Sequence, residues 1–281
     1  MPTARSLVQQ FTDLQTLPHV AIRVTQLMNS DSASIQDFEE IIKLDPILIV
    51  RLLKLVNSPY FGLVNKVESI SKALVYLGMK NLRNLVAIEA IRTLFKDEED
   101  ESGFSRKQLW KHSATVAIVS RMIAERVFGL GGENEFLAGI IHDIGLIIED
   151  QLTGQELRDV SQRYISGDKI ITEYEDEIIE TNHCRVGSFL VLAWNMPEEV
   201  VEAIKKHHDH ENVYDVPSVT SIVQIAEYIA NRLEYGAVKG RQDPLPAYLN
   251  SHMKDRMADY KVLIKDLPSE IEKAEDLYSE E

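Results

Sequence analysis

The stretch "PILIVRLLKLVNSPYFG" (residues 46–62) decides how this chain folds. Ile49, Leu52, Leu53 and Val56 recur at the spacing of one helical stripe, and a proline opens the run where its missing N–H costs nothing. The end of the stretch is a stop. Asn57 and Ser58 can bond local backbone, Pro59 prevents continuation, and Gly62 permits a left-handed turn. Tyr60 and Phe61 are then expected to dock as apolar anchors at a corner between helices.

The same pattern repeats on both sides. "HVAIRVTQLMN" (19–29) sets Val20, Val24, Leu27 and Met28 on one stripe. Ser34 before "IQDFEEII", Ser69 before "ISKALVYL" and Pro197 before "EEVVEAIKKHH" are helix starts, and Gly62, Gly78 and Gly129 are stops. No period-two alternation lasts long enough for a central sheet. The expected fold class is all-α, a helical bundle in two lobes.

The seam between the lobes is "KDEEDESG" (96–103), a like-charge run without an apolar residue, which reads as a solvated linker. The expected division is 1–103, with that linker at its end, and 104–281. The acidic end "DLPSEIEKAEDLYSEE" (266–281) reads as a short surface helix or a frayed tail.

Charge excludes more than it assigns. Residues 1–96 carry 11 Lys and Arg against 8 Asp and Glu, while the remainder carries 19 against 37. So acidic a back half argues against a groove that tracks nucleic-acid phosphates. No apolar run approaches the eighteen or so residues of a membrane span, and polar residues interrupt "MPTARSLVQQFTDLQ" too often for a secretion signal. Cys184 is the lone cysteine, which rules out an internal disulfide and fits a reducing cytoplasm. The expected location is therefore cytoplasmic, without membrane attachment.

Candidate chemistry gathers in the back half. "FLAGIIHDIGLIIED" (136–150) sets His142 and Asp143 inside an apolar run, where an unpaired carboxylate costs several kcal/mol unless neutralised, hydrogen-bonded or metal-bound. His112 precedes Val116, Val119 and Ile123 at steps of four, three and four, so it shares their buried face. His183 lies four residues before Gly187, whose missing side chain allows close helix approach. His207 and His208 end a helical run, and Glu227 is a lone acid in "SIVQIAEYIANRL". A single buried histidine is ordinarily a hydrogen-bonded core residue, and a pair near a helix end can simply face water. Five histidines with Asp143 on the helices of one lobe point instead to a shared metal site. Adjacent residues of a helix diverge by about 100 degrees, so Asp143 is expected to bridge two ions while His142 binds one. The same divergence separates His183 from Cys184, which is expected to be a small core residue and not the nucleophile of a Cys/His pair. His19, His210 and His252 are expected at the surface or in turns.

These residues, in this order, resemble the HD superfamily of metal-dependent phosphohydrolases: an early histidine (His112), the doublet (His142, Asp143) and a late acid (Glu227). His183 and His207–His208 are similar to the dinuclear HD-GYP branch, which hydrolyses cyclic di-GMP. In the front half, "LPHVAIRVTQLMN", "IIKLDPILIVRLLKLVNSPYFG" and "SISKALVYLGMKNLRNLV" resemble the HDOD family from about residue 10 to 235. That resemblance implies a bacterial signal-transduction module related to the phosphohydrolases but without demonstrated catalysis. It implies metal ligands at His112, His142, Asp143, His183, His207, His208 and Glu227, and two divalent ions, iron or manganese ahead of zinc. It implies a signalling protein or a phosphorylated small molecule as partner.

Three departures bear on turnover. Gly145 is kept after the doublet, but the lysine that follows it in "HDxGK" enzymes is Leu146; no "GYP" follows His208; and the late Asp is Glu227. Leu146 removes the cation expected near a substrate phosphate. Two functions follow: a regulatory module whose metal is a staple, or a metal-dependent phosphohydrolase in which Asp143 is the first candidate for a catalytic role.

Overall fold

The structure, a computed structural model, describes residues 3–14, 23, 27, 34–42, 46–95, 104–238 and 243–274. Among the described residues there are fourteen α-helices and no strand. The all-α expectation holds. Most of the 19–29 stripe, His19, the 96–103 seam and the last seven residues lie outside the described residues.

The front half contains α1 (Ala4–Leu14), α2 (Ile35–Ile42), α3 (Pro46–Val56) and α4 (Ile70–Arg92). Each forms for a local reason. Ser34 and Asp37 exchange hydrogen bonds at the start of α2, Oγ accepting from the Asp37 amide while the Asp37 carboxylate accepts from the Ser34 amide. In α3 the buried stripe is Leu48, Leu52, Leu55 and Val56, with Ile49 and Leu53 half-buried. The stripe is thus rotated from the expected one, because the helix is apolar on more than one face and neighbouring helices choose which side is covered. Gly78 adopts φ 76 and ψ 166 inside α4, breaking it into two segments.

The corner after α3 is stapled by Asn57. Its Nδ2 donates to the carbonyls of Leu53 and Val67, and its Oδ1 accepts from the Val67 amide at 2.7 Å. Ser58 makes no side-chain capping bond, contrary to expectation, and its Oγ is buried without a hydrogen-bond partner. Tyr60 packs edge-on to Phe61 and tilts against Phe136, and the Arg121 guanidinium sits 5.2 Å above its ring. The corner is therefore also a joint between halves of the chain.

The back half comprises α5 (Arg106–Ile123), α6 (Glu133–Ile141), α7 (Ile144–Leu152), α8 (Gly154–Ser166), α9 (Ile171–Ile178), α10 (His183–Ala193), α11 (Glu198–Lys206), α12 (Val219–Arg232), α13 (Leu249–Asp255) and α14 (Met257–Lys273). Helix α5 is buried nearly all round from Leu109 to Ile123 and is the central rod, packed by α6, α12 and α14. Helix α1 lies on α7 and α10, and one apolar core takes residues from both sides of the 96–103 stretch. Of the acidic end, residues 266–273 are helical and close α14, which runs seventeen residues through Pro268 and buries Tyr260, Leu263 and Leu267. His252 is likewise no bare surface residue; its Nε2 lies 2.9 Å from the Tyr260 hydroxyl and its ring stacks on Phe128.

Candidate metal centre

Six of the seven nominated side chains sit at helix ends or on rods aimed at one interior point. His112 comes from the middle of α5, His142 and Asp143 from the junction of α6 and α7, His183 from the first turn of α10, His207 from the end of α11, and Glu227 from α12. His208 follows His207 just past the helix. The expectation that the doublet diverges on one helix is corrected here. The helix breaks after Ile141, Asp143 adopts φ −96 and ψ 12, and His142 Nε2 lies 3.2 Å from Asp143 Oδ2.

Asp143 lies at the centre, 3% exposed. Its Oδ2 is 3.4 Å from His112 Nε2, and its Oδ1 is 3.3 Å from His183 Nε2 and 3.4 Å from His207 Nε2. The donors fall into two groups, one of Asp143, His183, His207 and His208, the other of His112, His142 and Glu227. His208 Nε2 lies 3.5 Å from Glu227 Oε1 and Nδ1 lies 3.8 Å from Asp243 Oδ2, beyond ordinary hydrogen-bond reach.

The far sides of the rings fix their tautomers. His112 Nδ1 faces the Tyr235 carbonyl at 2.7 Å, His142 Nδ1 the Gly139 carbonyl at 2.8 Å, and His207 Nδ1 the Ile204 carbonyl at 2.8 Å. A carbonyl only accepts, so each Nδ1 carries a proton, and in the neutral ring each Nε2 presents a lone pair inward. Yet the inward nitrogens face each other: His112 and His142 at 3.2 Å, His183 and His207 at 3.2 Å. Asp143 Oδ1 is buried and accepts no hydrogen bond. Lone pairs and an unpaired carboxylate oxygen around one point need positive charge between them. This donor set fits a divalent metal ion, with nitrogen and oxygen ligands suited to iron, manganese or zinc.

Electrostatics carry the same demand. Burial alone would raise Asp143, but the imidazoles of His142, His183 and His207 outweigh it and hold the carboxyl well below its usual range. Burial pushes His112 down to about 4, helped by His142. Burial also drives His208 down, reinforced by His207 and His183. His183 goes the other way: Cys184, Glu175 and Asp143 overcome its burial and raise it well above the ordinary imidazole value. Glu227 is pushed up to about 7 by burial, against the pull of His207 and His142.

Two residues around the cluster, Glu175 and Glu149, carry no signal in the sequence, and a third, Cys184, sits closer to His183 than expected. Glu175 holds His183, facing its Nδ1 at 2.8 Å and accepting its backbone N–H at 3.1 Å. Glu149 is fully buried behind Glu175 and is raised well above the usual carboxyl range by burial and then by Glu175. Cys184 is not a bystander in the core: its Sγ lies 3.5 Å from His183 Nε2. The divergence argument fails because the two residues open α10, where side chains lean toward the helix N-terminus and over the cluster.

Two cavities meet the centre. One, about 30 Å³, is walled by His112, Asp143, Leu146, His183, His208 and Glu227 among others. The other, about 500 Å³, reaches the cluster at Cys184 and His208 and is rimmed by Glu173, Asp176, Asp209 and Glu211. Among the described residues, no helix is long and apolar enough to cross a membrane.

Comparison with known proteins places these observations. A family model described as "HDOD domain" matches residues 14–210. A candidate phosphohydrolase from Shewanella amazonensis superposes with a TM-score of 0.72 at 21% identity, covering 97% of each chain. A candidate signal-transduction protein from Marinobacter aquaeolei superposes with a TM-score of 0.69 at 17% identity, over 99% of this chain and 60% of the other. Among curated proteins, an uncharacterised protein of Treponema pallidum is 24% identical over 212 residues, 73% of this chain and 40% of that one. The chain spans less than half the length of the curated relatives it matches.

Proposed function

This chain belongs to the HDOD domain family, and on that premise we propose that it acts as a regulatory, signal-transduction module built around a metal centre with a structural role. His112, His142 and Glu227 hold one side of that centre, and Asp143, His183, His207 and His208 the other. Two divalent ions are proposed, iron or manganese before zinc. When bound, the metal supplies the positive charge that makes the burial of Asp143 and five imidazoles tolerable. The chain's own residues do the rest: carbonyls and Glu175 orient the rings.

Leu146 is the observation that carries this reading over an enzymatic one. It is 2% exposed and lines the 30 Å³ cavity beside His112 and Asp143, where related hydrolases carry a lysine. On that wall the leucine offers no cation to a phosphoester. The larger cleft is a poor alternative for an anion. Its acids outnumber Arg185 and Lys205, and Arg185 is already bound to Asp176 at 2.6 Å. A signalling protein is the proposed partner, in the cytoplasm, where a lone thiol stays reduced. The name of the Marinobacter neighbour agrees with this reading.

One observation favours the second reading, a metal-dependent phosphohydrolase of nucleotides or cyclic dinucleotides. The two oxygens of Asp143 face different histidine pairs, the arrangement by which a carboxylate can serve two ions in phosphoester chemistry. The test is direct. Manganese- or iron-loaded protein is offered a panel of nucleotides, cyclic dinucleotides and simple phosphoesters. No turnover is expected; hydrolysis that disappears in His142→Ala would replace the regulatory reading with the enzymatic one.

A further inference from the structure

A centre this deep needs an entrance. His112, His142, Asp143, His183 and His207 are each 3% exposed or less, so an ion reaches them only after some part of the wall has moved. Among the described residues, the 30 Å³ cavity beside Asp143 and the 500 Å³ cleft have one lining residue in common, His208. Its side chain is 8% exposed and borders both spaces.

His208 is also the least anchored of the five rings. Each of the other four has Nδ1 within 2.8 Å of a carbonyl or of Glu175. His208 Nε2 lies 3.5 Å from Glu227 and Nδ1 lies 3.8 Å from Asp243, too far for an ordinary hydrogen bond. The backbone beneath it is fixed by contrast. Gln224 Nε2 donates to the carbonyls of Lys206 at 3.1 Å and Asp209 at 3.0 Å, one on each side of the His207–His208 pair. The freedom left to His208 is rotation of its side chain.

The cleft itself suits a cation. Arg185 is paired with Asp176 through two hydrogen bonds, which leaves Glu173, Asp209 and Glu211 on the rim against Lys205. An acidic excess in a cleft raises the local concentration of cations and repels anions.

Resting on the reading of this cluster as a metal centre, we propose that divalent ions enter and leave it through the 500 Å³ cleft, and that rotation of the His208 ring opens and closes the way. The rim acids draw the cation in, and His208 turns aside and then returns behind it as a ligand. A residue that only shapes the route changes the rates of entry and exit by the same factor and leaves affinity unaltered.

The test uses the full chain, stripped with chelator and mixed rapidly with cobalt(II). The rise of the visible d–d bands gives the uptake rate, and their decay in excess chelator gives the release rate. Glu211→Lys, a rim variant, is expected to slow both several-fold at low salt with affinity unchanged, and the difference should vanish at high salt. His208→Ala removes the door together with a ligand, and is expected to speed both uptake and release several-fold while binding less tightly. Uptake that is the same in Glu211→Lys and wild type at low salt, or a changed affinity at an unchanged uptake rate, overturns the route. Faster release without faster uptake in His208→Ala marks the loss of a ligand alone and overturns the gate. The absence of visible bands in wild type overturns the metal centre, and this proposal with it.

Discussion

A Cβ on Gly145 would stand 2.0 Å from the carbonyl oxygen of His183 and 2.7 Å from its carbonyl carbon. Helix α7 begins directly after Asp143 and is pressed, at Gly145, against the first residue of α10. The contact continues at Gly187, where a Cβ would meet the Gly145 nitrogen at 3.2 Å. Two glycines thus set the separation between the backbone that carries Asp143 and the backbone that carries His183.

Gly145→Ala forces these helices apart. Overpacking a close backbone contact costs about 1–3 kcal/mol, and the shift also moves Asp143 away from His183. Thermal unfolding should start at a lower temperature and metal content should fall together with it. A variant with wild-type melting and wild-type metal content would show that the contact does not set the site.

Asp143→Asn keeps the shape and removes the charge at the centre. Metal retention should be lost, and with it the chelator-sensitive part of the stability. A ligand at a hundred times its dissociation constant stabilises a fold by about 2.7 kcal/mol. Chelator should therefore lower the melting temperature of wild type by several degrees and leave the Asp143→Asn variant nearly unmoved.

Glu175→Gln tests the positioning of His183. Glu175 grips the ring and the backbone N–H of His183 from behind, and loss of such a partner typically weakens metal affinity by about 10–100-fold. Glu149 provides the control. Burial and Glu175 raise its carboxyl well above the usual range, and it does not touch a ring nitrogen of His183, so Glu149→Gln should change affinity far less. Equal effects from the two variants would contradict the assignment of Glu175 as the positioning residue.

Glu89 in α4 gives a pH dependence away from the cluster. Burial raises its carboxyl above the ordinary value, only partly offset by Arg92 and Arg51. The folded protein therefore holds this proton at pH values where the unfolded chain has released it, and stability falls as pH rises through that window. Glu89→Gln removes the loss. Its stability relative to wild type should improve from pH 4 to pH 8 in denaturant titrations, and a difference that stays flat or runs the other way would count against the assignment.

Much of this was legible in residue spacing. His112 is buried, as its four-three-four spacing with Val116, Val119 and Ile123 leads one to expect, although α5 is covered on nearly every side. Pro46, Ser34, Gly62 and Gly129 mark helix boundaries as expected, since each acts on backbone within a few residues of itself. What escaped depends on tertiary approach. Glu175 sits in "TEYEDEI" among other acids, and only the packing of α10 singles it out as the partner of His183. The expectations for Cys184 and Asp143 assume ideal continuous helices. A helix start and a helix break redirect both, and no periodicity announces either turn. The buried stripe of α3 was misplaced for a related reason: a helix apolar on several sides leaves the choice of face to its neighbours.

The central claim is that imidazoles from separate helices, joined by Asp143, hold a metal cation in the interior of this chain. Elemental analysis by plasma mass spectrometry, on protein purified without chelator or imidazole, tests it most directly. The account predicts stoichiometric iron, manganese or zinc in wild type and almost none in Asp143→Asn of unchanged circular dichroism. Folded wild-type protein that carries no transition metal, and takes up none on dialysis against these ions, would contradict it.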